Sequence, residues 1–129
     1  PATYAERDAQ AYADFLRDTI GIPRSRVKVL TGPRATGPAM ERTLEAYAAK
    51  VGAKGTFWVY FSGHGAPANK DAWLMGYSVN PGPDYLAEGS RRRSRLVELA
   101  GTIRSDARAI VVLDACFSGR DRAGSGLSI

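Results

Sequence analysis

The apolar positions change period along the chain, and each change marks an element. Ala5, Ala9, Tyr12, Ala13, Leu16 and Ile20 recur at helical spacing. Residues three and four apart share a helix face, so this stripe predicts an amphipathic helix that Gly21 and Pro23 stop. Arg26–Leu30 alternates polar and apolar side chains and predicts a short strand. Thr36-Gly37-Pro38 opens a second helix, because proline in a first turn gives up only an amide that would stay unpaired. Met40, Leu44, Tyr47, Ala48 and Val51 form its buried stripe, and Gly52 ends it.

Thr56–Phe61 is a bulky, β-prone run that leads directly into Ser62-Gly63-His64-Gly65. Trp73-Leu74-Met75 predicts another short strand, ahead of a Pro/Gly stretch at Asn80–Asp84. Leu96, Val97, Leu99, Ala100 and Ile103 predict a third helix beginning near Ser94. Ala109–Leu113 is continuously aliphatic, the pattern of a strand covered on both faces. It runs into Asp114-Ala115-Cys116-Phe117-Ser118-Gly119. Strands alternate with helices, which predicts an α/β fold: a mostly parallel sheet flanked by helices, with right-handed crossovers. There is no internal repeat, and the Gly/Ser-bearing tail Ala123–Ile129 is the one low-complexity tract.

Composition narrows the chemistry. The 129 residues suit one domain. Lys and Arg number 18 against 13 Asp and Glu, a net charge of +5, and Arg91, Arg92, Arg93 and Arg95 carry most of that excess. A nucleic-acid surface spreads its cations along a face with aromatics between them, so this cluster argues against nucleic acid. Flanked by Ser90 and Ser94, it reads as a solvated loop. The single cysteine cannot form an internal disulfide, and one Cys with one His cannot build a four-ligand zinc site. The longest apolar runs, Phe57–Phe61 and Ala109–Leu113, fall far short of the ~20 residues of a membrane span. No signal-peptide pattern opens the chain, so the expected location is cytoplasmic, away from membranes.

In a parallel sheet, catalysis gathers at the carboxyl ends of the strands. His64 and Cys116 each follow a predicted strand, and one helical crossover separates the two strands. Parallel strands would bring both residues to one edge, the placement a thiol nucleophile and its base require. Gly63 and Gly65 read as a sharp turn beside the imidazole. The Gly65 amide could approach a substrate carbonyl and form an oxyanion hole with the Cys116 amide. In other hydrolases each such donor contributes ~3–4 kcal/mol. A lone buried Cys is usually an inert hydrophobe, and a lone His a structural residue. Their joint placement is what singles them out.

Phe61-Ser62-Gly63-His64-Gly65 and Asp114-Ala115-Cys116-Phe117-Ser118-Gly119 resemble the two catalytic motifs of the caspase–metacaspase clan of cysteine peptidases. The helix around Glu6-Arg7-Asp8-Ala9, the strand ending Lys28-Val29-Leu30-Thr31 and the order of elements resemble the large-subunit region of that clan. The His-to-Cys interval also matches the ~50 residues noted for caspases. The resemblance implies a catalytic Cys116–His64 dyad, a Gly65/Cys116 oxyanion hole and an acyl-enzyme.

One departure carries information. Caspases place Gln two residues before the nucleophile, whereas this chain has Asp114, as metacaspases and paracaspases do. The resemblance puts Asp114 in the S1 pocket, with Ser62 shaping it, and implies cleavage after Arg or Lys (the P1 residue). A carboxylate receives a guanidinium through a bidentate fork and repels an acidic side chain. The plainer reading of Asp114 is a strand-end carboxylate capping a loop amide.

The resemblance also implies that the fold is incomplete here. The clan's first strand, expected before the first helix, and the small-subunit region after the nucleophile are both absent. A companion polypeptide would then be needed for activity, since bare sheet edges are normally covered. Residues 120–129 would begin the linker between subunits, with Arg120 and Arg122 as autocleavage positions and the Arg91–Arg95 cluster as a second candidate. No organic cofactor is implied. Some metacaspases respond to calcium, but the chain has no dense carboxylate cluster, so calcium is left open.

Three readings compete. A caspase-like fold can serve as a catalytically silent assembly or regulatory module. Cys116 and Arg122 also satisfy the C-x5-R pattern of thiol phosphatases. That chemistry wants Arg122 opening a helix, yet Ala-Gly-Ser-Gly follows it, and Asp114 would repel phosphate. Ser118 lacks the G-x-S-x-G elbow of serine hydrolases.

Overall fold

The first helix, α1, spans Ala5–Asp18 and buries Ala13 and Leu16 from its predicted stripe. The chain leaves it through Gly21 at φ 87°, a conformation open to glycine and strained for other residues. Helix α2 spans Gly37–Ala48, with Pro38 in its first turn. The Thr36 hydroxyl caps it, accepting from the Ala39 amide at 3.3 Å. The remaining elements are β1 (Thr56–Ala68), β2 (Asp71–Met75), α3 (Tyr85–Gly89), β3 (Ser90–Arg92), α4 (Arg93–Ala100) and β4 (Arg108–Cys116). The computed structural model describes residues 4–78 and 84–116.

The sheet is mixed, which corrects the expectation of mostly parallel strands. Its order is β3-β2-β1-β4. Only β1 and β4 run parallel; β1–β2 and β2–β3 are antiparallel. The cause is local. Asn69-Lys70 alone joins β1 to β2, and so short a connection can only reverse the chain. Asn69 turns it at φ 50°, a left-handed conformation that asparagine tolerates.

Successive residues of β1 face opposite ways. Phe57 and Val59 pack with Ala48 of α2, Ala100 of α4 and Val111 of β4. Tyr60 points the other way and stacks on Tyr12 of α1. The sheet is thus covered by α2 and α4 on one face and α1 on the other.

Two strand expectations need correction. Arg26–Leu30 forms no strand: a 3₁₀ turn occupies Arg24–Arg26, and Val27 continues in extended backbone. Lys28, Val29 and Leu30 make no backbone–backbone hydrogen bond among the described residues. The alternation encodes an extended chain, but a strand needs a neighbour. A cleft of about 850 Å³ lies between this segment, α1, α2 and the Thr56–Ser62 stretch of β1. On that side β1 pairs with no other strand among the described residues until Gly65 meets β2. The second correction concerns Ala109–Leu113, which is partly exposed rather than covered on both faces, because β4 is an outer strand of the described sheet.

The arginine cluster is not a solvated loop. It forms β3 and the first turn of α4, and Glu41 of α2 gathers it. Arg91 reaches Glu41 at 2.5 Å and Arg95 reaches the other carboxylate oxygen at 2.8 Å. Arg95 also meets Glu98 at 3.2 Å, and Arg93 lies 3.6 Å from Asp71. Asp71, on β2, caps α4 from outside the helix by accepting from the Ser94 amide at 3.3 Å. Burial raises the Asp71 pKa, but hydrogen bonds from Ser94 and Ala72 outweigh it and leave the carboxyl below its ordinary value. Beneath this network the chain crosses itself at Gly76, where an added Cβ would lie 2.3 Å from the Gly89 carbonyl oxygen. The Tyr85 hydroxyl ties the crossing by donating to the Gly76 carbonyl at 2.8 Å.

Hydrogen bonds from Arg95 and Arg91 hold the Glu41 carboxyl below its ordinary pKa. Such a group stabilises the fold above its unfolded pKa, and the contribution fades as pH falls through the folded value. Glu41→Gln should therefore lose about 1–2 kcal/mol at neutral pH, the scale of a charge-assisted hydrogen bond. The gap between the variant and the parent should narrow below roughly pH 4. Thermal melts followed by circular dichroism at several pH values check both; a gap independent of pH would rule out the ion pair as its source.

Candidate active site

The Ser62-Gly63-His64-Gly65 segment is strand, not turn. β1 continues through it because β4 supplies partners up to His64 and β2 takes over at Gly65. Neither Gly63 nor Gly65 has a positive φ, which corrects the sharp-turn expectation. What Gly63 provides is room: a Cβ there would lie 3.1 Å from the Phe61 ring.

The parallel register brings the motif residues together. Ser62 pairs with Asp114, Gly63 with Ala115 and His64 with Cys116, the last residue of β4. Neighbouring strands lie about 4.8 Å apart, so the His64 and Cys116 backbones are adjacent although 52 positions separate them. His64 is exposed, as is Asp114, while Ser62 is half-buried. Gly65 sits opposite Leu74 of β2. Arg120, Arg122, Ser118 and the linker expectation at 120–129 lie outside the described residues.

Two further residues join this neighbourhood. Tyr60 lies on the same face of β1 as Ser62, and its ring stacks on Tyr12 with centroids 4.1 Å apart and planes 6° from parallel. Its hydroxyl donates to the Asp114 carboxylate at 3.4 Å. Burial first, then the Asp114 and Asp8 charges, push the phenol above its ordinary pKa, against the opposite pull of a hydrogen bond with Ser62. Asp8 of α1 therefore acts electrostatically on the same spot. Both had a signal in the sequence. Tyr60 stands two positions before Ser62, and Asp8 stands one helical turn before Tyr12.

Asp114→Asn removes one of the charges that disfavour phenolate, so it should lower the Tyr60 pKa. Ultraviolet difference titration, with Tyr60→Phe identifying the signal, checks this. An unchanged or higher pKa in Asp114→Asn would exclude electrostatic contact between the two.

Among the described residues, no group of three or more His, Cys, Asp and Glu is arranged to hold a metal ion. No described helix is long and apolar enough to cross a membrane.

No curated protein matches the chain. A crystal structure of protein GSU0716 from Geobacter sulfurreducens is similar, with a TM-score of 0.64 and 25% sequence identity over 89% of this chain. The alignment spans only 42% of that protein's length. The model of the caspase-domain family, Peptidase_C14, matches residues 1–127. That match covers almost the whole sequence, and the chain belongs to the caspase-domain family of cysteine peptidases.

Proposed function

We propose that this chain is the catalytic core of a cysteine endopeptidase that cleaves after Arg or Lys. The observation that carries the reading is the register in which His64 meets Cys116 two positions beyond the pair of Ser62 and Asp114. One pair serves the chemistry, and its neighbour serves the substrate cation.

In this mechanism the Cys116 thiol gives its proton to His64, and the sulfur bonds to the carbonyl carbon of the scissile amide. The electron pair moves to the carbonyl oxygen, where the Gly65 and Cys116 amides stabilise it. Collapse of this intermediate breaks the C–N bond, and the His64 imidazolium protonates the departing amine. His64 then takes a proton from water as the water oxygen attacks the thioester. Breaking the C–S bond releases the new carboxylic acid and regenerates the thiol. These steps use no cofactor.

Asp114 receives the P1 cation, Ser62 shapes the wall beside it, and Asp8 adds negative charge. An Asp at P1 would meet like charge instead. The 850 Å³ cleft has an unpaired strand edge on one wall and an unpaired extended segment on the other. A strand of companion polypeptide fits there, and the small-subunit region would cover the outer edge of β4. The enzyme is active in this reading only when so completed.

Fluorogenic peptides differing only at P1 (Arg, Lys or Asp) test the assignment on the full polypeptide and on its Cys116→Ala form. Arg and Lys peptides should turn over, Cys116→Ala should be inactive, and Asp114→Asn should lose about tenfold or more in kcat/KM for Arg. Preference for Asp would overturn the S1 assignment. Absence of any Cys116-dependent turnover would favour a silent module, and hydrolysis of an aryl phosphate would favour the thiol phosphatase. The same preparations test autoprocessing by intact mass. Cleavage after Arg120 or Arg122 should occur in the parent and be missing in Cys116→Ala; identical fragments from both would end that idea.

A further inference from the structure

Asp114 sits near the end of an outer strand, exposed, and among the described residues its side chain receives one hydrogen bond, from Tyr60. The register explains how that contact arises. Tyr60 pairs with Val112, so Asp114 is its diagonal neighbour across the ladder. Diagonal positions are about 7–8 Å apart, beyond a short side chain but within reach of a tyrosine. The ring has little freedom to turn away. It lies flat on Tyr12 of α1, so the helix on that face of the sheet sets where the hydroxyl can be.

We propose that Tyr60 is a positioning residue: its hydroxyl fixes the Asp114 carboxylate for the P1 cation, with Tyr12 clamping the ring. The inference rests on the reading of Asp114 as the P1 acceptor and adds the residue that orients it. A bidentate guanidinium fork needs both carboxylate oxygens in one plane and pointing toward the ligand. A freely rotating surface carboxylate must be ordered when substrate binds, and that entropy is subtracted from affinity. A neutral phenol on one oxygen sets the carboxylate plane in advance without neutralising its charge. The second oxygen and the outer lone pairs stay open to the substrate. The effect should be larger for Arg than for Lys, because an ammonium accepts many carboxylate orientations.

Tyr60→Phe keeps the stack on Tyr12 and deletes only the donor. In the full polypeptide, KM for a P1-Arg peptide should rise about fivefold, with most of the change in KM rather than kcat. The preference for Arg over Lys should fall. In an Asp114→Asn background the same substitution should do nothing further, because the group it positions has lost its charge. Unchanged KM and Arg/Lys ratio in an active Tyr60→Phe enzyme would overturn the inference and leave the P1 assignment intact. So would a lowered melting temperature with equal losses in both backgrounds, which would make Tyr60 merely structural. A parent enzyme that prefers Asp at P1, or shows no Cys116-dependent turnover, would remove the P1 assignment itself and this inference with it.

Discussion

The parallel pairing of β1 with β4 is the constraint on which the rest depends. It begins at Thr56 opposite Arg108 and runs without interruption to His64 opposite Cys116. Side chains alternate along a strand, so a slip of one residue would turn Asp114 away from Ser62 and Tyr60. The register is set far from the candidate site. At its start, the Arg108 amide donates to the Gly55 carbonyl at 3.0 Å. Next to that, Phe57, Val59 and Val111 lock into the core with Ala48 and Ala100. Burial at one end of the ladder thus determines which polar residues meet at the other.

The charged network performs a related task around β2 and β3. α4 is short, with eight residues, and no residue next to it caps its first turn. Asp71 from β2 and Glu41 from α2 supply the missing acceptors and partners. These contacts join β2, β3, α2 and α4, and β2 is the strand that carries β1 onward past His64. The arginines that dominate the net charge therefore secure the fold beside the candidate site.

Legibility differed with the range of the cause. The start of helix α2 is legible because Thr36 and Pro38 act within one segment, but the stripe runs on to Val51, with Gly52 as its expected end, while the helix stops at Ala48. Ser62–Gly65 looks like a turn because of Gly63 and Gly65, whereas two neighbouring strands hold the segment extended. At Arg26–Leu30 the reverse holds: a strand-like pattern pairs with no strand among the described residues. β3 was hidden by its arginines, whose charges look solvated until Glu41 comes into view.

The sequence by itself determined the inventory: one Cys, one His, an aspartate two residues before the thiol, and the motifs that mark the caspase-domain family. It also determined helices α1 and α2, whose hydrogen bonds run between residues four apart, but not the short α3 at Tyr85–Gly89. The motifs already implied that His64 and Cys116 meet at one edge of parallel strands; the tertiary structure alone decided the exact register, the antiparallel pairings of β2 and β3, and so which other polar groups meet. The mixed sheet, the open cleft beside β1 and the Tyr12–Tyr60–Asp114 chain all depend on such pairings. Their partners lie tens of residues apart, and no local pattern encodes a hydrogen bond whose other half is so distant.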